Sequence, residues 1–100
     1  MNGSEISVRR SDHVLFQSKK DGSGFILNLE TGRYFYTDRG GCLIWYMICE
    51  ERSAQEIAER LSATYGSTDE YTRKIVSDHL QRLEKLGLID GNWDERREIG

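Results

Sequence analysis

Three β-prone runs stand close together in the first third of the chain, separated only by short polar turns. That spacing limits the fold more than any other feature. Residues 13–17 (HVLFQ), 25–29 (FILNL) and 33–37 (RYFYT) are apolar or aromatic, and each suits a strand. The segment KKDGSG, residues 19–24, separates the first two, and ETG, residues 30–32, separates the second and third. Parallel neighbours need crossovers of about a dozen residues or more, so these strands must pair as an antiparallel meander. Gly32 falls where the second turn requires a positive φ.

From residue 38 onward the period changes to that of helices. Asp38 is placed to cap a first helix reaching about Cys49, with Cys42, Ile44, Trp45, Ile48 and Cys49 at helical spacings. Trp45 is expected to reach under the sheet as core. Ser53-Ala54-Gln55-Glu56 forms a capping box for a second helix, whose stripe is Ile57, Ala58, Leu61 and Tyr65 before a stop at Gly66. Ser67-Thr68-Asp69-Glu70 has the same pattern and opens a third helix with the stripe Val76, Leu80, Leu83 and Leu86. Gly87 ends that helix, and Leu88-Ile89 is expected to fold back onto the core. The expected class is α+β: a three-stranded antiparallel sheet followed by a three-helix bundle, winged helix-turn-helix-like. Residues 1–89 form the domain and 90–100 a polar tail, in which Trp93 and Ile99 are the two residues suited to pack back.

Composition fits a single small domain. Of 100 residues 37% are hydrophobic, 31% charged and none proline, so glycine does the punctuation. No apolar run approaches the ~20 residues of a membrane span. The opening MNGSEISVRR lacks the apolar core of a secretion signal, and a cytoplasmic location is expected. A net charge of −3 argues against a dedicated phosphate-backbone binder.

Catalytic and metal-binding constellations are missing from the sequence. Cys42 and Cys49 lie two helical turns apart, about 10 Å by helix rise, too far to share a metal, and are expected to be small buried hydrophobes. His13 and His79 fall in different elements, with no CxxC or HxxxH pair. No GxSxG elbow, P-loop or GxGxxG fingerprint occurs. The expectation is therefore no enzyme, no catalytic residue, no metal and no cofactor. Three helices with a sheet also resemble a winged-helix DNA-binding transcription regulator. The third helix, however, carries Arg73, Lys74, Arg82 and Lys85 against Asp69, Glu70, Asp78 and Glu84, with none of the basic excess that a DNA-reading helix shows.

The third strand is unusual. Tyr34, Phe35 and Tyr36 stand in a row, so aromatics cover both of its faces. They serve either as filling for the small core or as the flanks of an open sheet edge whose unpaired N–H and C=O groups can accept another strand. Self-pairing at such an edge would give a weak dimer in place of a monomer.

Gly32-Arg33-Tyr34-Phe35 followed by Gly41-Cys42-Leu43-Ile44-Trp45 resembles the strand-to-helix signature of PqqD-like proteins. Residues 53–61 (SAQEIAERL) resemble the second helix of that family. Val76, Leu80, Leu83 and the ending Gly87-Leu88-Ile89 resemble its third, and the likeness covers roughly residues 8–89. This family is the RiPP recognition element, RiPPs being ribosomally made, post-translationally modified peptides. The resemblance implies a non-catalytic module that binds the leader segment of a precursor peptide by strand addition and presents it to a maturation enzyme. Thr37-Asp38 stands where PqqD proper carries Leu-Asn, and the proline-containing turn of the cofactor-synthesis branch is missing. The resemblance therefore points away from pyrroloquinoline quinone synthesis. Lasso-peptide maturation with a leader protease fits, and a radical SAM partner is the neighbouring alternative.

Two elements then supply the expected peptide-binding residues. Arg33, Tyr34, Phe35, Tyr36 and Thr37 make the pairing strand. Tyr71, Thr72, Ile75, Asp78, His79 and Arg82 make the helix face beside it, with Ile75 and His79 neighbours at i, i+4. His79 stands where an aromatic or aliphatic residue is common in the family.

Overall fold

The computed structural model describes residues 6–93. Strands β1 (Val14–Ser18), β2 (Gly24–Asn28) and β3 (Tyr34–Thr37) precede helices α1 (Arg39–Cys49), α2 (Ala54–Tyr65) and α3 (Asp69–Lys85). The sheet has the order β1-β2-β3, antiparallel throughout, so β2 is central and β3 forms one edge. This is the α+β arrangement of a three-stranded sheet followed by three helices. Among the described residues no helix is long and apolar enough to cross a membrane.

Local chemistry accounts for most element ends. Gly22 and Gly32 adopt φ of 93° and 77° in the two hairpin turns, where a side chain would be strained. The Asp38 carboxylate accepts the Gly41 N–H at 3.0 Å and caps α1. Ser53 and Glu56 exchange side-chain and backbone hydrogen bonds at 3.1 and 3.0 Å, closing the capping box of α2. The start of α3 corrects the expectation of a second box. Its cap is Thr68, whose hydroxyl accepts the Tyr71 N–H at 3.3 Å, so Tyr71 occupies the third helical position and has no carboxylate to return the bond. Ser67, one residue outside, hydrogen-bonds the Thr72 hydroxyl instead.

The core lies between the inner face of the sheet and the three helices. Ile26, Ile48, Ile57, Leu80, Leu83 and Leu88 are fully buried, and Val76 and Ile89 join them. Trp45 reaches under the sheet as expected, its ring 6.2 Å from that of Phe16 on β1. Val8 and Trp93 close the core from outside the named elements. Trp93 packs back as its sequence suggested, with its indole N–H donating to Glu84 at 2.9 Å. Ile99 lies outside the described residues. Two stripe residues depart from expectation. Tyr65 is exposed because the last turn of α2 runs past the edge of the core, and Leu86 is only half-buried at the end of α3. Cys42 is buried, but Cys49, the last residue of α1, is exposed rather than packed as a hydrophobe.

Candidate peptide-binding groove

Among the described residues strand β3 pairs on one side only. Its partners are all on β2: Thr37 with Gly24, Tyr36 with Phe25, Phe35 with Ile26 and Tyr34 with Leu27. The Asn28 N–H donates to the Arg33 carbonyl at 2.8 Å. Hydrogen-bonded pairs alternate along an antiparallel ladder, so Phe35 and Thr37 also direct their backbone groups toward β2. The N–H and C=O groups of Tyr34 and Tyr36 therefore point to the open edge. Among the described residues no strand pairs with that edge.

The pleat sorts the side chains. Tyr34 and Tyr36 project from the outer face of the sheet and are exposed, while Phe35 is half-buried and Thr37 buried on the inner face. Tyr36 is held by a 3.2 Å hydrogen bond between its hydroxyl and that of Ser23, and the Lys19 ammonium lies 5.4 Å from its ring centroid.

Helix α3 runs beside β3 in the opposite direction. Two contacts fix this. The Asn28 amide donates to the Leu86 and Gly87 carbonyls at 3.3 and 3.0 Å, tying the end of α3 to the residue that pairs with Arg33. Further along, the Phe35 and His79 rings meet edge to face with centroids 5.2 Å apart. The same side of α3 carries Ile75, one turn before His79, and Arg82, one turn after it. The result is a groove walled by β3 and α3 and floored by Phe35 and His79. Packing beneath it is tight: a Cβ at Gly41 would collide with the Thr37 side chain and lie 3.0 Å from His79 Cε1. That position requires glycine for this close approach.

The expected helix residues do not all reach the groove. Ile75, His79 and Arg82 share its wall, and Tyr71 and Asp78 lie further toward solvent, both exposed. Asp78 faces Lys74 at 3.9 Å. Thr72 belongs elsewhere: it is buried, and its hydroxyl donates to the Thr68 carbonyl at 2.9 Å while accepting from Ser67. It ties the first turn of α3 together and offers nothing to a ligand. On the strand, Arg33 and Thr37 share the inner face with Phe35, and Tyr34 and Tyr36 flank the edge.

His79 is the most perturbed group of the groove. Its Nε2 is buried with no hydrogen-bond partner among the described residues. Burial lowers its pKa below the ordinary 6.5, with nearby Asp38 acting the other way and Arg82 adding to the lowering. The imidazole is therefore neutral at pH 7. Unfolded, it takes up a proton near pH 6.5, before the folded form does. The native state accordingly loses stability as pH falls from about 6.5 through the folded pKa, and the contribution is fully present above that window. Denaturant midpoints between pH 7.5 and 5.5 are expected to fall for the wild type, and to fall clearly less for His79→Leu. Equal slopes would refute this assignment.

No redox or metal chemistry gathers at the groove. Among the described residues no group of three or more His, Cys, Asp and Glu is placed to hold a metal. Both thiols are pushed above the ordinary thiol pKa, by desolvation foremost, so neither is activated as a nucleophile.

The family model described as coenzyme PQQ synthesis protein D (PqqD) matches residues 24–89, more than half of the chain. The chain belongs to the PqqD family. Its matched span starts at β2 and ends just after α3, and so contains every groove residue. The structure of TbiB1 in complex with the TbiA(beta) leader peptide is similar, with a TM-score of 0.79 and 29% identity over 86% of this chain and 99% of that one. Lasso peptide synthetase B1 complexed with the leader peptide has a TM-score of 0.75 over 85% of this chain and 99% of that one. At 15% identity it attests the fold alone. No curated protein has a significantly matching sequence.

Within this PqqD-family domain, Asn28 is a positioning residue that the sequence alone does not reveal, and Gly41, already part of the signature, gains its physical reason from the contact with Thr37 and His79. Asn28 is buried, and besides gripping α3 its Oδ1 accepts the Glu30 and Thr31 N–H groups at 2.9 and 3.2 Å. One side chain thus shapes the β2–β3 hairpin and sets the mouth of the groove. Its only signal in the sequence is an Asn at the start of a turn, a common turn-former.

Proposed function

We propose that this domain binds the leader segment of a ribosomally synthesised precursor peptide and presents it to a maturation enzyme. The observation that carries the reading is the outer edge of β3, unpaired among the described residues, beside a groove lined by Phe35, Ile75 and His79. The leader lies along β3 as a fourth strand. Tyr34 and Tyr36 offer it two N–H and two C=O groups, each bond contributing on the order of 1 kcal/mol net. Alternate side chains enter the groove, and each well-buried apolar anchor adds ~1.5–3 kcal/mol. After the ordering cost of a flexible peptide, affinity falls near the micromolar range, which lets the leader dissociate after processing.

The similarity to TbiB1, whose structure holds a leader peptide, supports this reading and favours a lasso-type pathway with a leader protease as partner. In this role the domain binds and does not catalyse, and it acts in the cytoplasm, where the precursor is made. The same groove suits a radical SAM partner's substrate. No observation favours DNA: α3 balances four basic against four acidic residues, and Lys74 is already engaged with Asp78.

Fluorescence-anisotropy titration with labelled N-terminal segments of the short precursor genes encoded beside this one tests the proposal. Saturable micromolar binding is the expected result. No binding up to several hundred micromolar for any of them refutes it.

A further inference from the structure

The two ends of the groove differ in charge. At the end where β3 begins, Arg33 and Arg82 are exposed, and neither makes an ion pair among the described residues. Glu30 of the adjoining hairpin faces His13 at 3.6 Å. At the opposite end, Asp38 caps α1 directly after β3, and the first turn of α3 carries Asp69 and Glu70. Between them lie Ile75 and Phe35. An extended guest therefore meets an acidic end, an apolar middle and a basic end.

Backbone geometry converts this gradient into a register. An antiparallel guest must hydrogen-bond Tyr36 and Tyr34, the residues whose backbone groups face outward. Call the guest residue opposite Tyr36 position 0; position 2 then lies opposite Tyr34. Their side chains share the outer face with the two tyrosines. Positions −1, 1 and 3 point into the groove, opposite Thr37, Phe35 and Arg33. Position −1 faces the half of α3 that carries Ile75, and position 1 lies over the Phe35 ring. Position 3 lies beside Arg33, at the end of the groove where α3 carries Arg82. The span from −1 to 3 is ~14 Å at strand rise. Ile75 to Arg82 covers ~10 Å at helix rise, about 4 Å less, a difference within the reach of a long Arg side chain.

We infer that the groove selects a directional motif: apolar residue, any residue, apolar residue, any residue, then Asp or Glu. The carboxylate lies on the C-terminal side of the anchors and is clamped by Arg33 and Arg82. The inference rests on the leader-binding reading and adds direction and charge to it. A carboxylate placed instead at position −1 meets the Asp38 end and is disfavoured.

Panning a phage library of random 12-residue peptides against the full-length chain tests the motif even while the natural leader is unidentified. Enrichment of acidic residues two positions after the second apolar anchor is expected. Changing that residue to Lys in a selected peptide should weaken binding about 5-fold at low salt, the effect shrinking as salt rises, because both arginines are exposed. Panning on the R33E/R82E double variant should move the preference to Lys or Arg at the same position. Binders that lose affinity with Ile75→Asp but show no charge preference, or carry the acid before the anchors, overturn the motif and leave strand addition standing. A library without binders, together with no affinity for the neighbouring precursor segments, overturns both.

Discussion

Trp45→Ala should remove about 3–5 kcal/mol of stability, the range for emptying a buried Trp site. A domain of this size has a total near the low end of 5–15 kcal/mol, so the variant is expected to be partly unfolded at 37 °C. The reason lies in what the indole joins. Trp45 is 2% exposed, touches Phe16 on β1 and belongs to the cluster that contains Ile26, Ile48 and Leu80. Phe16 in turn meets the Tyr46 ring edge to face at 5.5 Å. The indole is thus one of the contacts that join β1 to the helices, beside Ile26 of β2 in the same cluster. Urea denaturation followed by far-ultraviolet circular dichroism gives the difference directly, and Leu29→Ala is the control. Leu29 is 60% exposed, and its truncation should change stability by no more than about 0.5 kcal/mol. A loss below about 1 kcal/mol for Trp45→Ala would mean that the core closes over the vacancy and that Trp45 is not the joining contact described.

Much of this fold is legible in local sequence because local chemistry decides it. The Ser53–Glu56 box, the left-handed Gly66 and Gly87, and the Gly32 turn each solve a problem confined to a few residues. Their solutions do not depend on what lies across the core. The groove is harder to read, since it depends on the rotation of α3 about its own axis. Thr72 and Ile75 are both expected on the side that faces the ligand, but Thr72 stands four residues before Val76 and so continues the Val76–Leu80 row. Once the helix settles against α2 and the sheet, Thr72 turns inward and Ile75 remains 43% exposed. The helical period places Thr72 with the core row and Ile75 about 60° away from it; the polar type of Thr72 is what conceals its place. The expected Ser67 box fails for a related reason. Ser is by type a somewhat better cap than Thr, but here the buried Thr72 hydroxyl engages Ser67 and leaves Thr68 as the cap. The helical period does place His79 beside Ile75, but its lone buried Nε2 arises from Phe35 and Gly41, which lie more than thirty positions away in sequence.

That difference between Thr72 and Ile75 makes the sharpest functional test. Ile75→Asp should weaken leader binding by about 10- to 100-fold, which corresponds to ~1.4–2.8 kcal/mol. In the proposed binding mode the substitution removes the apolar wall against which the guest's first anchor packs, an interaction of ~1.5–3 kcal/mol when buried. It also places a carboxylate where the docked peptide excludes water, next to the end of the groove already occupied by Asp38. The folded state should tolerate it, because Ile75 touches solvent and an exposed helical Asp costs only ~0.5 kcal/mol or so. Ile75→Leu keeps the apolar wall and should bind within about threefold of the wild type. Thr72→Val should show the reverse pattern. It deletes the hydroxyl that links Ser67 to the Thr68 carbonyl, so stability falls by about 1 kcal/mol or more while the affinity of the remaining folded protein is unchanged. Anisotropy titrations and denaturation curves on the three variants separate a groove residue from a scaffold residue on the same helix. If Ile75→Asp binds the leader as the wild type does, the peptide does not lie between β3 and α3, and the exposed outer face of the sheet, with Leu15 and Tyr34, becomes the surface to test.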